Sequence, residues 1–333
     1  MVPVTIALAL ALLAGSSQSF DSAYRAGLIA LGQNKLAEAE SNLETAAKLS
    51  PSSGRVWAAL AETWTKLGKA KDADRAARKA ESLGSGDPLV AHALALYYAQ
   101  HSRPLKAAQL ESKYAAANPS DTAARQRTAE WYFAAAEPLL KQQKFGDALA
   151  ILDPAHTQLP EDAQIQLALG VAYYGLRRFE EAAAQFLKTI DLAPEVRQPY
   201  VFLGRMLDQA PAALGDAGPR FAAYRKTHPD DELGYLLEAR TAEPQKAREL
   251  LQKAVELAPK DAAAHLELGI LEERTQRLSE AATELERAAA LDAADPVTHY
   301  HLARVYDRLG QSDRARAERE THAKLSAAQD AIR

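Results

Sequence analysis

Histidine and carboxylate side chains are the groups in this sequence that could bind a metal ion or transfer a proton. His299 and His301 are two residues apart, and on a helix this spacing directs them to nearly opposite sides, which does not suit a shared metal ion. His265 and His299 are 34 residues apart, and we interpret both as packing residues. Carboxylate pairs such as Glu272-Glu273 are interpreted as parts of solvated helix surfaces. None of these groups forms a recognisable catalytic or metal-binding set.

Sequence motifs of the common enzyme classes are missing as well. The chain has no G-x-x-x-x-G-K-[ST] phosphate-binding loop, no G-x-S-x-G nucleophile motif and no H-E-x-x-H zinc motif. Its Gly-rich loop at residues 84–88 ends in a proline that can start a helix, so we interpret it as a turn between helices. With no cysteine, the chain also lacks disulfides, thiolate metal sites and cysteine nucleophiles. We therefore predict a protein that is not an enzyme and that carries no metal or cofactor.

The composition favours a helical chain with an ordinary polar surface. Hydrophobic residues make up 47% of the 333 residues but aromatic residues only 7%, and alanine, a strong helix former and a poor filler of cores, is frequent. This balance favours many thin helix–helix contacts, and the length suggests either several domains or one elongated repeat array. The net charge is −4 and no basic block occurs, so nucleic acid is not an expected partner.

A helical hairpin positions the surface residues of this chain, and its pattern is clearest in residues 163–194. Leu169 and Tyr173 are four residues apart and share one face of a predicted first helix, while Ala182 and Phe186 share one face of a second. Two short antiparallel helices of this kind cannot bury their own apolar face. The hairpin therefore needs copies of itself on either side.

The copies follow at a regular spacing. The position at which the second helix is expected to press against the first holds an alanine that recurs in steps of 34, 34, 41, 34, 65, 34 and 34 residues. A period of 34 residues is the tetratricopeptide spacing, and the longest step contains one further degenerate unit, which makes about nine hairpins. The equivalent alanines are Ala39, Ala73, Ala107, Ala148, Ala182, Ala247, Ala281 and Ala315.

The chain resembles the tetratricopeptide repeat family from about residue 20 to about residue 324. The family pattern has Leu-Gly and Tyr in the first helix, Ala and an aromatic residue in the second, and a closing Pro. Residues 163–194 match it with Leu169-Gly170 and Phe186, and Gly175 is predicted to lie in the turn between the helices. The resemblance implies an all-α fold, a right-handed α-solenoid superhelix of about nine hairpins over residues 20–325.

Two departures from the period are expected to change the structure locally. The step of 41 residues places seven additional residues around positions 118–128, which we expect to lengthen the helix that follows. Between about residues 209 and 244, Pro211 and Gly218-Pro219 interrupt the pattern, so a short second helix and a shortened next unit are predicted. We interpret this stretch as a degenerate repeat, with a hinge as the alternative. The last unit ends in a charged helix that suits a terminal repeat, followed by a tail at residues 326–333.

Residues 1–19 are predicted to be a secretory signal peptide. Residues 4–13 form an uncharged apolar run that is shorter than the roughly 20 apolar residues needed to span a bilayer, and small residues follow it. Ser17 and Ser19 fit a cleavage site, so the mature chain would begin near Phe20 in the periplasm or outside the cell. The alternatives are a retained segment that anchors the chain in a membrane and a buried first helix of the array.

The resemblance also implies where a partner binds. In this family the first helices of successive hairpins line a concave groove that holds an extended peptide or a partner helix. The equivalent positions here are apolar in the middle of the chain, and arginines such as Arg274 and Arg308 are added near the C-terminus. The Lys/Asn set with which some members hold the terminal carboxylate of a chaperone is absent. The groove candidates are Tyr24, His92, Phe133, Leu167, Val171, Tyr174, Val201, Arg205, Leu266, Ile270, Tyr300 and Arg304.

We therefore expect a non-enzymatic scaffold that binds another protein, exported as part of an envelope-associated or secreted assembly of a bacterium. An apolar groove predicts that hydrophobic side chains of a peptide or helix are the bound groups. The alternatives are a cytoplasmic or membrane-anchored adaptor and a separately encoded regulatory subunit of an enzyme.

Overall fold

The structure is a computed structural model that describes residues 19–84, 86–215 and 217–332. Within these ranges the chain forms eighteen α-helices, one 3₁₀ helix and no β-strand, which confirms the predicted all-α class. The predicted signal peptide lies outside the described residues except for Ser19. The helices are α1 (Phe20–Gly32), α2 (Leu36–Leu49), α3 (Gly54–Lys66), α4 (Ala70–Gly84), α5 (Pro88–Gln100), α6 (Pro104–Ala117), α7 (Thr122–Lys141), α8 (Phe145–Gln158), α9 (Ala163–Gly175), α10 (Phe179–Leu192), α11 (Arg197–Gln209), α12 (Gly218–Thr227), α13 (Glu232–Thr241), α14 (Pro244–Leu257), α15 (Ala262–Arg274), α16 (Leu278–Leu291), α17 (Pro296–Arg308) and α18 (Ser312–Ile332).

The chain divides into two compact units, an N-terminal unit that ends at Arg177 and a C-terminal unit that begins at Arg178. In the N-terminal unit the hairpins are α1/α2, α3/α4, α5/α6 and α7/α8, and α9 packs on α7 and α8. In the C-terminal unit the hairpins are α13/α14, α15/α16 and α17/α18, preceded by α10–α12. The division falls between α9 and α10, so the packing of these two helices as a hairpin stays a prediction.

Aspartates define where many of the hairpins begin. Six first helices start directly after an aspartate whose side chain accepts backbone N–H groups of the first turn. These N–H groups have no partner within the helix, and the carboxylate also lies at the positive end of the helix dipole. The capping residues are Asp87, Asp121, Asp162, Asp231, Asp261 and Asp295.

The recurring alanines from Ala39 to Ala315, which we call the alanine column, are buried as predicted. All eight alanines lie in second helices, where seven are fully buried and Ala247 is 4% exposed. On the first helix of a hairpin, glycine allows the same close approach. A Cβ placed on Gly269 of α15 would lie 2.6 Å from Cγ of Leu285 on α16. In α1/α2 the equivalent pair is Gly27 and Leu43, also at 2.6 Å. Small residues at these crossings therefore determine how closely the helices of a hairpin approach.

The hairpin turns share a left-handed residue, and the position of Gly175 differs from the prediction. In seven turns of the described chain one residue has a φ between 56° and 74°, although only two of these residues are glycine. Gly175 is the last residue of α9, and Arg177 is the left-handed residue of that turn. A Cβ on Gly175 would lie 2.4 Å from the ring of Phe145. Packing against Phe145, and not the turn, requires glycine at this position.

The departures from the period have the predicted local effects. Helix α7 has 20 residues where α9 has 13, so the seven additional residues lengthen this helix. After α11 the chain forms a 3₁₀ helix (Pro211–Leu214), and α12 and α13 have 10 residues each. The last helix, α18, continues to Ile332 through the residues predicted to be a tail. No described helix is both long enough and apolar enough to cross a membrane.

A second column of side chains joins each of several repeats to the loop before it. In six first helices the fourth residue is hydrogen-bonded to the backbone carbonyl six positions earlier, as in Tyr200, whose Oη lies 3.1 Å from the Pro194 oxygen. That carbonyl follows the preceding second helix, so the bond satisfies a backbone acceptor between two repeats. The six residues are Trp57, Gln166, Tyr200, Tyr235, His265 and His299.

Replacing Gly269 by alanine should destabilise the α15/α16 hairpin. The added Cβ would overlap the Leu285 side chain, and overpacking of this kind typically costs about 1–3 kcal/mol. The matched control is Gly146→Ala in α8, where a Cβ meets no atom within 4 Å and the loss of glycine flexibility should stabilise by about 0.4–1 kcal/mol. Urea unfolding midpoints measure both variants, and equal midpoints would contradict the close crossing.

Tyr200 should make stability depend on alkaline pH. Burial raises the pKa of Tyr200 to about 12, whereas tyrosine in an unfolded chain has a pKa of about 10. The folded protein therefore holds this proton more tightly, and its stabilisation is complete below about pH 10 and lost as the pH rises toward 12. The urea midpoint of wild type should fall more steeply between about pH 9.5 and 11.5 than that of Tyr200→Phe. The control is Tyr300→Phe, at an exposed ring, and parallel curves for wild type and Tyr200→Phe would contradict the prediction.

Candidate functional site

A groove of about 1010 Å³ in the C-terminal unit contains two of the predicted binding residues. It runs along α15, and its walls include the end of α13 and the start of α14 and α17. Leu266 and Ile270 lie one helical turn apart on α15, and both are half-buried. Val297 at the start of α17 adds an apolar side chain that is 46% exposed. The groove therefore offers apolar contacts along one helix.

Charged side chains surround this apolar stripe, and most of them have partners. Arg240 donates from Nε to Glu267 at 3.1 Å and from Nη1 to the Gly204 carbonyl at 2.9 Å. Asp292 and Asp295 accept backbone N–H groups at the turn before α17. These charges hold the repeats and their loops in place.

The interpretation of Glu272 and Glu273 as solvated surface residues is wrong. Each is 2% exposed, and cations from neighbouring helices neutralise both. Glu272 lies 2.6 Å from Arg248 Nε and 3.6 Å from Arg277 Nε. Glu273 lies 2.6 Å from His301 Nδ1, with two arginines of α17 within 4 Å. A buried carboxylate is tolerated only with such partners, and all of them except Arg277 become neighbours only when successive repeats stack.

Buried carboxylates that contact two basic side chains occur elsewhere as well. In the N-terminal unit, Glu111 on α6 is fully buried between His92 Nδ1 at 2.8 Å and Arg127 Nη2 at 2.7 Å. In the C-terminal unit, Glu238 on α13 is bound by Arg225 and by Lys246, whose Nζ lies at 2.5 Å. Side chains from three successive helices meet at each of these carboxylates, so each carboxylate links those helices.

Tyr300 and Arg304 lie together on α17, as their spacing predicts. The Arg304 guanidinium lies 5.5 Å from the centroid of the Tyr300 ring, which is 45% exposed as a residue. Arg304 also lies 3.2 Å from Glu273, so its charge is shared between an aromatic face and a buried carboxylate. Both residues are exposed, so both are open to a partner.

The other predicted groove residues differ in how open they are. His92 is engaged on both sides, by Glu111 and by the ring of Tyr114 at 4.4 Å. Tyr24 stacks on Phe20 at 5.8 Å, and burial raises its pKa. Arg205 is exposed, with its guanidinium 5.8 Å from the Phe202 ring. The remaining candidates are half-buried side chains of first helices, namely Phe133, Leu167, Val171, Tyr174 and Val201.

The predicted residues fall into two groups that belong to different units. Tyr24, His92, Phe133, Leu167, Val171 and Tyr174 belong to the N-terminal unit, and the six from Val201 to Arg304 belong to the C-terminal unit. Their role in binding stays a prediction.

The sequence prediction missed Val297 and Arg240 as groove residues. Val297 could have been found from the helix start at Pro296, because it lies three residues before Tyr300 on the same helical face.

His265 and His299 are buried, as the packing interpretation predicts. They are 6% and 8% exposed, and each ring bridges two elements. His265 Nδ1 lies 2.7 Å from Glu284, and its Nε2 lies 3.3 Å from the Pro259 carbonyl. His299 repeats this arrangement with Glu318 at 2.5 Å and the Ala293 carbonyl at 3.1 Å. Both rings therefore connect the two helices of a hairpin to the loop before it.

Comparison with known proteins agrees with the repeat pattern. The tetratricopeptide repeat family matches residues 24–88, 133–196 and 236–296, which is more than half of the chain. Among curated protein sequences no match was found.

Solved structures similar to this chain include other helical-repeat proteins. Yeast Tom70 is 16% identical, with 93% of this chain and 85% of that chain covered and a TM-score of 0.43. TTC0263, a thermophilic TPR protein of Thermus thermophilus, is 21% identical, with 50% and 99% covered and a TM-score of 0.41. MamA of Desulfovibrio magneticus RS-1 is 20% identical, with 61% and 97% covered and a TM-score of 0.38. Likenesses at these TM-scores say nothing about function.

The family matches include six of the eight second helices that carry the buried alanines. Residues 24–88 include the hairpins α1/α2 and α3/α4, and residues 236–296 include α14 and the hairpin α15/α16. Tetratricopeptide repeats are typically interaction modules that bind other proteins. From the matched repeats and the hairpins that they form, we conclude that this chain belongs to the tetratricopeptide repeat family.

Proposed function

We propose that this protein is a non-catalytic scaffold that binds an extended segment or a helix of another protein in the groove along α15. The observation that supports this proposal is the half-buried apolar pair Leu266 and Ile270, which lies open in a groove of about 1010 Å³. Apolar side chains held in this way by a first helix gain free energy when a partner covers them.

The charges around the groove support binding over catalysis. Catalysis needs a proton donor or nucleophile that is free to react, whereas most carboxylates near this groove are bound by basic side chains or cap a helix. Tyr300 and Val297, which are 45% and 46% exposed, extend the apolar surface onto α17. A partner segment that crosses from α15 to α17 would cover both.

A Leu266→Ala/Ile270→Ala double variant should lose binding of apolar peptides. The probe is a displayed library of random twelve-residue peptides selected against the full chain, and the measurement is the affinity of the selected peptides. Loss of two anchoring side chains should weaken binding by roughly 2–4 kcal/mol in total, since each large hydrophobic side chain contributes about 1.5–3 kcal/mol when fully buried.

The matched control removes exposed leucines from second helices. Leu49→Ala/Leu83→Ala changes two side chains that are 52% and 41% exposed on α2 and α4. This control should bind the selected peptides with unchanged affinity. Equal loss in both double variants, or no loss in either, would argue against the groove along α15 as the binding site.

We further propose that the protein is exported, with residues 1–19 as the signal peptide and a mature chain that begins at Phe20. The uncharged run at residues 4–13 and the small residues after it support this proposal.

Processing should be visible in the mass of the purified chain. Expression of the full sequence in a bacterial host should yield a protein that begins near Phe20. Leu10→Arg, which places a charge in the apolar run, should block this cleavage. A wild-type chain that keeps Met1 would support the membrane-anchored or cytoplasmic alternative instead.

A further inference from the structure

Three arginines occupy the last turns of successive first helices, and one of them lacks an internal partner among the described residues. Arg240, Arg274 and Arg308 lie in the last turns of α13, α15 and α17, with 34 residues between neighbours. A cation at this end of a helix is favourable because of the helix dipole, so their common position alone assigns no function to them. Their partners distinguish them.

Arg240 and Arg308 join neighbouring first helices. Arg240 Nη1 donates to the carbonyl of Gly204 on α11 at 2.9 Å, and its Nε reaches Glu267. Arg308 Nη1 donates to the carbonyl of Glu273 on α15 at 3.2 Å, and its Nη2 donates to Gln276. Both guanidinium groups are therefore used within the fold.

Arg274 differs, because its guanidinium has no ion pair or hydrogen bond with any residue that the structure describes. The side chain is exposed and lies on the wall of the groove. The acids that precede it in sequence, Glu272 and Glu273, are already bound by arginines of other helices. Glu243 also lines the groove but forms no ion pair with Arg274.

Arg274 also continues the apolar stripe of α15. Leu266, Ile270 and Arg274 are spaced by four residues, so they lie on one face of the helix over about 12 Å. An extended peptide covers that distance with about four residues. A single short segment can therefore contact both apolar side chains and the guanidinium.

Glu267, in the middle of α15, is bound by Arg240, and two further acids of the groove lie at its other end. Arg308 near the end of α17 contacts Glu273 near the end of α15, so the two helices run in the same direction. Asp292 and Asp295, which precede α17, are therefore at the end of the groove opposite Arg274, where they cap the backbone. The apolar stripe therefore lies between Arg274 at one end and the aspartates before α17 at the other, while Glu243 is exposed at the turn between α13 and α14.

We propose that the groove selects acidic segments, in which Arg274 binds an aspartate or glutamate side chain placed beside two apolar residues. This inference rests on the proposed function of the same groove and names the chemistry of its partner. A planar guanidinium can bind a carboxylate through two parallel hydrogen bonds, which gives the contact a preferred geometry. The bound group is an acidic side chain within the segment and not a terminal carboxylate.

The test uses matched pairs of amidated peptides against the full chain. Each pair carries two leucines and, beside them, either glutamate or glutamine, which has nearly the same shape without the charge. Wild type should prefer the glutamate peptides by about five- to tenfold at low salt, and the preference should shrink as salt rises. Arg274→Gln should remove the preference and keep leucine-dependent binding, and Arg274→Glu should favour peptides with lysine in place of glutamate.

The control is Arg287→Gln, at an exposed arginine of α16, the second helix of the same hairpin. It should keep the preference of wild type. Leucine-dependent binding without discrimination between glutamate and glutamine, or discrimination that survives Arg274→Gln, would overturn this inference and leave the proposed function intact. A preference seen only with peptides that have a free C-terminal carboxylate would overturn it as well. No leucine-dependent binding to wild type would overturn both proposals.

Discussion

The close crossing of the two helices in each hairpin is the constraint on which the rest of this structure depends. Ala281 on α16 is fully buried, and a Cβ on Gly269 of α15 would lie 2.6 Å from Leu285 Cγ. A hairpin packed this closely is thin, with apolar side chains on both outer faces. It is stable only when neighbouring hairpins cover these faces, which is the general property of repeat proteins. The alanine-rich composition follows from this geometry.

Polar contacts then determine how neighbouring repeats are aligned. The fourth residue of several first helices binds the carbonyl of the loop before it, as Tyr200 binds Pro194. Buried carboxylates such as Glu111 and Glu273 bind basic side chains from neighbouring helices. An apolar interface allows a helix to slide or rotate, whereas these bonds are formed at one alignment only. Most charges near the groove along α15 are used in this way, which is why an arginine without a partner among the described residues is informative.

The difference between apolar packing within a hairpin and polar contacts between helices explains how much of the site the sequence could predict. Leu266 and Ile270 were predicted from their place in the repeat, and the structure brings them together in the groove. His92 was predicted by the same rule, but Glu111 and Tyr114 hold its ring. Position in a repeat indicates which way a side chain points. It does not indicate whether another helix supplies a partner, because that partner is 19 to 36 residues away in sequence.

The sequence by itself determined the all-α class, the 34-residue hairpin, the buried alanine column and the irregular stretch before α13. These properties follow from local periodicity and from helix-breaking residues, which act within one or two helical turns. Only the tertiary structure decided that Glu272 and Glu273 are buried, that Gly175 accommodates Phe145, and that Arg274 lacks, within the described chain, the partner which Arg308 has. Each of these depends on distances between atoms of different helices. The spacing of residues along the chain does not determine those distances.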